Sequence, residues 1–494
     1  MTRININPCK LLLPVILLLS PEAKSQLTVY GLQDLHMIYP GKDISYLVPH
    51  TGRCFTNAIH FHKLFWDYTP SDPVNILFND FTDVGNGGAT VIPRNLINIA
   101  VAPLDYTFDV LPANERLQWL MSHEICHIVM CDKASNADRI FHYAFLGKVM
   151  PEQDNPCTLL YSYLTTPRWY CPRWYHEGIA TFMETWMSGG MGRVLGNYDE
   201  MVFRTMVSDS AYFYRPVGLE SEGTTVDFQV GANAYLYGTR FVSFLAYQHG
   251  VSKLKEFYSR TDTSRRFFAR QFCHVYGKSL SDEWEDWIKW EKDHQKNNLS
   301  HISKYPVTVA EPITKNTLGS VSRMYLDKNK RVIYTTVNYP RKLAHICSIS
   351  LNDGQMKKIC TIPSPNLYSV TSLAYDPGSE TLFFTDKNNY WRGLCKVSTI
   401  TGKTETLISY LRAGDLVFNN VDMALYAIQT ISGRVSIIRI TQPYSTFSQI
   451  YNLPFGKSLF NLDVSHDGST LSATMADING KQEIVLFEDR KSVV

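Results

Sequence analysis

No two cysteines in this 494-residue sequence stand at the C-x-x-C spacing of a zinc ribbon or a redox dithiol, which excludes both devices. Charge of one sign is missing as well. Lys and Arg number 48 against 46 Asp and Glu, a formal net charge of +2, and no basic run or basic domain stands out. Nothing therefore calls for a nucleic-acid partner. Past the N-terminus no apolar run approaches the roughly 20 residues that cross a bilayer, so no transmembrane segment is expected in the mature chain. What is present is globular composition, 45% hydrophobic and 19% charged, in a chain long enough for two or three domains. The 29 Tyr, 25 Phe and 9 Trp suit strand-rich architecture and carbohydrate or peptide surfaces without choosing between them.

The first residues read as a secretory signal. Arg3 and Lys10 give a positive start, Leu11 to Ser20 an apolar stretch too short to span a membrane, and Ala23-Lys24-Ser25 a small-x-small cleavage site. A signal peptide over 1–25 is expected, and with it an exported protein, periplasmic or secreted. Of the 10 cysteines, Cys9 lies in this leader; the odd number left means at least one free thiol. Cys157–Cys171 is one candidate disulfide, and the others are expected as small buried apolar groups.

Two kinds of periodicity divide the remainder. Residues 26 to about 110 look strand-like and mixed: Val74 to Phe78 alternates, Gly85-Asn86-Gly87-Gly88 is turn-rich, and Ala89 to Ala102 is a second strand region interrupted at Pro93. From about 112 to 297 the pattern is helical. Trp119, Leu120, His123, His127 and Met130 recur at three- and four-residue spacing after Pro112, and Pro172 opens a helix that Gly189-Gly190 ends. Further helices are predicted at 197–208, 232–248, 252–260 and 281–296, the last amphipathic with Trp284, Trp287 and Trp290. After residue 300 short strands repeat with a period in the forties, at Tyr325-Leu326-Asp327, Ala374-Tyr375-Asp376-Pro377-Gly378, Val417-Phe418-Asn419-Asn420 and Val464-Ser465-His466-Asp467-Gly468. That spacing suits four-stranded propeller blades and resembles the TolB-type repeat; about four repeats fit, which leaves an incomplete propeller or a β-sandwich open. The fold class expected is α+β, a sheet-plus-helices domain over 26–299 followed by an all-β, propeller-like domain over 300–494.

The chemistry centres on His123-Glu124-Ile125-Cys126-His127. On a helix, His residues four apart share a face and can reach one Zn²⁺, while the intervening Glu can serve as base to the zinc-bound water. The apolar flanks Trp119-Leu120-Met121 and Ile128-Val129-Met130 imply burial, which is costly for two His and a Glu unless they are ligated or paired. A third ligand is needed. Glu177 and its neighbour His176, in Trp174-Tyr175-His176-Glu177-Gly178-Ile179-Ala180, are the candidates. Glu184, two turns beyond Glu177 on the same face, is placed to orient a ligand from behind. Cys126 is expected to pack in the core.

Together, His-Glu-x-x-His and the downstream Trp-x-x-Glu-Gly-x-Ala helix resemble the gluzincin zinc metallopeptidases, which include the aminopeptidase-N family. The resemblance covers about residues 74 to 297 and implies a zincin-like domain, with zinc on His123, His127 and Glu177 and Glu124 as catalytic base. It further implies that Tyr235, in Tyr235-Leu236-Tyr237-Gly238, donates to the oxyanion, with Tyr237 as runner-up. Two departures stand out. The segment from His127 to Glu177 is longer than in that family and reads as a lid or an elaborated surface loop. The strand that anchors a substrate amino terminus corresponds here to Gly88-Ala89-Thr90-Val91-Ile92, without the anchoring Glu. Gly88 and Ala89 remain candidates to pair with an extended substrate, so peptide-bond hydrolysis by an endopeptidase is expected rather than an aminopeptidase. The whole looks most like peptidase-MA-type proteins of bacteria that carry propeller repeats. The partners expected are a peptide or protein substrate and, on the propeller, a protein or cell-envelope ligand. The competing reading is a binding protein, catalytically silent or directed at something other than peptides.

Overall fold

The computed structural model describes residues 27–41, 43–83, 85–102, 115–190, 192–220, 230–315, 320–338, 342–362, 372–388, 391–479, 481–488 and 492–493. The expected signal peptide and the helix start at Pro112 lie outside the described residues.

Five strands form the first sheet: β1 (Leu27–Leu32), β2 (Leu35–Pro40), β3 (Val74–Asn79), β4 (Asn86–Thr90) and β5 (Leu96–Ala100), in the order β1-β2-β3-β5-β4. β2, β3 and β5 run parallel, and the antiparallel β1 and β4 form the edges. Alternation sets the buried face, with Val74, Ile76 and Phe78 inward from β3 and Ile97 and Ile99 from β5. The turn expected at Gly85–Gly88 is instead largely strand, because Asn86 to Thr90 pairs residue by residue with Ala100 to Leu96.

A larger correction concerns residues 48–66, which the sequence reading left among strands. They form a 19-residue helix, α1 (Val48–Trp66), with Pro49 in its first turn and Asp67 closing it in the left-handed region. Its buried stripe is Val48, Thr51, Phe55, Ala58, Ile59, His62 and Trp66. Polar members and interleaved histidines disguise that spacing. His62 is buried because it is satisfied: Trp66 Nε1 donates to its Nδ1 at 3.1 Å and its Nε2 donates to Ser122 O at 3.1 Å. Burial holds this imidazole down at about 4, so it stays neutral as it ties α1 to the next helix.

That helix is α2 (Arg116–Asp132), which carries the His-Glu-x-x-His motif; the Glu115 carboxylate caps it by accepting from Leu117 N and Gln118 N. The long segment before Glu177 folds as two helices, α3 (Asn136–Ala144) and α4 (Cys157–Thr165). α5 (Arg173–Met187) follows Pro172 and ends where Gly189 and Gly190 adopt positive φ. Then come α6 (Asn197–Ser208), the short α7 (Pro216–Leu219), α8 (Val230–His249), α9 (Val251–Tyr258), α10 (Phe268–Tyr276) and α11 (Leu280–Ile302). A single apolar core joins sheet and helices from Leu35 to Ile288, with Trp284 and Trp287 fully buried. No helix among the described residues is long and apolar enough to cross a membrane. The candidate Cys157–Cys171 disulfide does not form: all nine cysteines after residue 26 are free, and six of them are buried.

The described residues from 320 on are propeller-like and form four antiparallel sheets; in three of them neighbouring strands are consecutive in sequence, and in the first Ser320–Val321 and Tyr325–Asp327 both pair with Val332–Asn338. The repeat elements read from the sequence fall on Tyr325–Asp327, which follows Ser320–Val321 in the first sheet, and on Leu373–Asp376, Ala413–Asn419 and Lys457–Val464, which open the other three. The last three of these strands pack on one another in order. First and fourth sheets also meet, where Arg323 donates to Leu462 O at 2.7 Å and pairs with Asp463 at 2.6 Å.

Candidate metal centre

Four elements converge on one cavity. α2 supplies His123, Glu124 and His127, α5 supplies Glu177, and α8 supplies Tyr235; Gly88 and Ala89 of β4 complete the lining of a space of about 430 Å³.

Close packing of α5 on α8 brings their side chains together. A Cβ on Gly178 would stand 2.5 Å from the carbonyl carbon and oxygen of Gly238, and a Cβ on Gly238 would stand 2.4 Å from Trp174 O. Only glycine permits that approach, so the Gly after Glu177 and the Gly of Tyr-x-x-Gly are two halves of one contact. Gly87 plays a related part. A Cβ there would meet Leu120 Cδ1 at 2.3 Å and Glu124 Oε1 at 2.7 Å, so the β4 backbone lies against the helix face that carries Glu124.

His123 Nε2, His127 Nε2 and Glu177 Oε2 form a triangle with sides of 3.1, 3.2 and 3.4 Å. Ligands about 2.0–2.1 Å from a tetrahedral zinc lie about 3.3–3.4 Å from one another, so the donor set fits such an ion. His123 Nδ1 meets Glu184 Oε2 at 2.7 Å, and Glu184 Oε1 accepts from Arg193 Nε at 2.9 Å. This chain directs the His123 Nε2 into the triangle. Glu124 Oε2 is buried and makes no hydrogen bond, an orphan atom beside the triangle that a bound water would satisfy.

Carboxylates and imidazoles face one another across the cavity and shift each other's protonation. Burial works against a charged His123, yet Glu177 and Glu184 hold its imidazole up to about 10. Glu177 stays well below the ordinary carboxylate value despite burial, because His127 and His123 face it. Burial raises Glu124, the direction a general base requires, while the two histidines partly offset it. Burial, reinforced by Glu177, pushes the Tyr235 phenol well above its usual value and keeps it a donor.

The structure thus brings His123, His127, Glu177, Glu124, Glu184, Tyr235, Gly88 and Ala89 together. The runners-up take other positions. His176 lines the cavity outside the donor triangle, with Nδ1 3.9 Å from Cys131 Sγ, and burial next to His127 lowers it to about 4. The Tyr237 hydroxyl points into the core, accepting from Tyr214 N at 3.3 Å. Cys126 is fully buried. Arg173 and Arg193 were not singled out from the sequence. Both guanidinium groups sit over the Tyr235 ring, at 5.8 and 5.1 Å, and the i,i+4 spacing of Arg173 and Glu177 was the available signal for the first.

A second cluster, His50, Cys54 and Glu115, also gathers ligand-type atoms. There Glu115 Oε2 pairs with His50 at 3.0 Å while Glu115 caps α2, so the group is explained as a helix cap.

No protein-family model matches the chain, and no curated protein matches it. Among solved structures it is similar to TolB from Acinetobacter baumannii, at 13% identity and a TM-score of 0.31 over 35% of this chain and 43% of that one. It is also similar to a chain of a nidogen/laminin complex, at 16% identity and a TM-score of 0.28 over 35% of this chain and 65% of that one. The chain thus spans less than two thirds of either, and the chemistry of the cavity rests on its own residues.

Proposed function

We propose that this protein is an exported zinc-dependent peptidase of gluzincin type that hydrolyses internal peptide bonds of an extended substrate. One observation carries the reading: three metal-ligating atoms converge at tetrahedral spacing beside a buried carboxylate oxygen that has no partner. His123, His127 and Glu177 would hold the ion. When bound, zinc supplies Lewis acidity that lowers the pKa of a water and polarises a carbonyl.

The chain's own groups supply the rest. Glu124 takes the proton of the attacking water and returns it to the departing amine. Tyr235 donates a hydrogen bond to the carbonyl oxygen as that oxygen gains negative charge. Glu184, held by Arg193, fixes the tautomer and orientation of His123. β4 lies at the sheet edge with no strand beyond it among the described residues, so a substrate backbone can pair along Gly88 and Ala89. Val91 and Ile92 are buried apolar residues, and neither can anchor a substrate amino terminus, which favours internal cleavage.

The test is metal content by mass spectrometry of wild type, Glu177→Gln and Glu124→Gln, with casein cleavage assayed alongside. Expected are one zinc per wild-type chain, its loss in Glu177→Gln, and retained zinc with cleavage reduced about 10²–10⁴-fold in Glu124→Gln. Wild-type protein prepared without chelator that holds no zinc would overturn the reading.

A further inference from the structure

The loop that leads into β4 is gripped by the propeller-like half. Asp80 and Asp83 stand between β3 and β4, immediately ahead of the strand that lines the cavity. Arg412, just before the strand Ala413–Asn419, takes both carboxylates. Its Nε donates to Asp83 Oδ1 at 2.9 Å, and its two terminal nitrogens donate to the Asp80 oxygens at 2.9 and 2.7 Å. Two blade amides complete the grip: Arg392 N donates to Asp83 Oδ2 at 2.6 Å and Ser432 N to Asp80 Oδ2 at 2.9 Å. The guanidinium also stacks 3.9 Å over the Trp391 ring.

This is more than a surface ion pair. Arg412 and Asp80 are 15% exposed and Asp83 only 6%, so the bonds are largely screened from water. Arg412 adopts φ +56°, a left-handed conformation uncommon outside glycine, and holds it while reaching both aspartates. At the other end, β4 packs on α2, where a Cβ on Gly87 would press on the side-chain ends of Leu120 and Glu124. The loop at Asp80–Asp83 and the strand beside the catalytic base are thus close in sequence, one end held by the propeller-like half and the other packed on α2.

We infer that Arg412 of the propeller, acting through Asp80 and Asp83, is a positioning residue that seats the substrate strand Asn86–Thr90 beside Glu124. The strand's role in holding substrate rests on the peptidase reading; the grip itself does not. A separate contact, in which the Tyr46 hydroxyl donates to Ser432 O at 2.8 Å and the Tyr46 ring meets Phe455 edge-on, docks the same blades independently of Arg412. Removing Arg412 should therefore loosen the strand without detaching the propeller.

The experiment compares wild type, Arg412→Gln, Asp80→Asn/Asp83→Asn and the triple variant. Three quantities are read: amide hydrogen exchange by mass spectrometry, zinc content, and kcat and KM on a twelve-residue peptide and on a blocked dipeptide too short to run along β4. Exchange in residues 80–90 should rise about tenfold while α2 is unchanged. On the long peptide kcat/KM should fall about tenfold, mainly through KM, with the dipeptide within about twofold and zinc content equal. The triple variant should be no worse than Asp80→Asn/Asp83→Asn, because Arg412 acts through those two carboxylates, which also accept from the two blade amides. Unchanged exchange in 80–90, equal loss on both substrates, loss of zinc, or additive effects would each overturn the inference. If wild type cleaves neither substrate, the peptidase reading fails, and exchange together with non-additivity still decides whether Arg412 holds the strand.

Discussion

The two halves of the chain bury polarity in opposite ways. In the helical half full charges are sealed inside: Asp132 with Lys148, Asp138 with Arg260 and Arg266, Glu291 with Arg240, and Glu184 with Arg193 and His123. In the propeller-like half the buried polar side chains are mostly neutral, such as Thr335, Thr336, Thr385, Asn419, Gln429 and Ser436, and most ion pairs lie at the rim. Neutral groups cost less to bury, and a sheet satisfies its backbone by register alone. A buried ion pair adds little net stability over an apolar replacement, so keeping four such groups in one half of the chain points to a demand for fixed geometry there.

If that contrast is sound, its largest break comes at Asp138. Arg260 outweighs the burial penalty and holds this carboxyl below its ordinary value. Asp138→Asn leaves Arg260 buried against a neutral group and should cost about 3 kcal/mol in urea unfolding at pH 7. Because the folded pKa is depressed, this stabilisation is present above the unfolded value and fades as pH falls through the folded one. The difference between wild type and variant should therefore shrink below about pH 4. A difference independent of pH would mean packing, not charge, is what the helical half gains there.

Next in size is Glu184→Gln, which keeps the shape behind His123 and removes the charge. Zinc affinity, measured by competition with a chromophoric chelator, should fall about 10–100-fold. Smallest is Gln429→Leu on the propeller side. Gln429 Nε2 donates to Leu411 O at 2.8 Å, and its loss should cost about 1 kcal/mol with zinc affinity unchanged. A comparable loss at Gln429 and Asp138 would erase the distinction between the halves.

The same contrast marks what the sequence could reveal. The helical positions of α5, α6, α8, α9 and α11 were legible because their apolar residues recur on one face, and the blade openings because an apolar strand ends at an Asp- or Asn-containing turn. α1 escaped because its stripe includes Thr51 and His62, polar side chains that count as core only once Ser122 O and Trp66 are known to meet His62. In the site, His123, Glu124, His127 and Glu177 were legible by spacing. Arg193 was not, since it reaches Glu184 from a turn after the helix ends, and Arg412 acts across more than three hundred residues, beyond any local pattern.

The meeting of Gly178 with Gly238 has a consequence for tolerance to change. Where helices touch through side chains, each core substitution resets their spacing by the width of a methyl group. Here main chain rests on main chain, and no substitution can make a peptide unit thinner. The gap between the Glu177 carboxylate and the Tyr235 phenol therefore has a mechanical stop. The aromatic core of Trp174, Phe241 and Trp284 packs around that stop and does not set it.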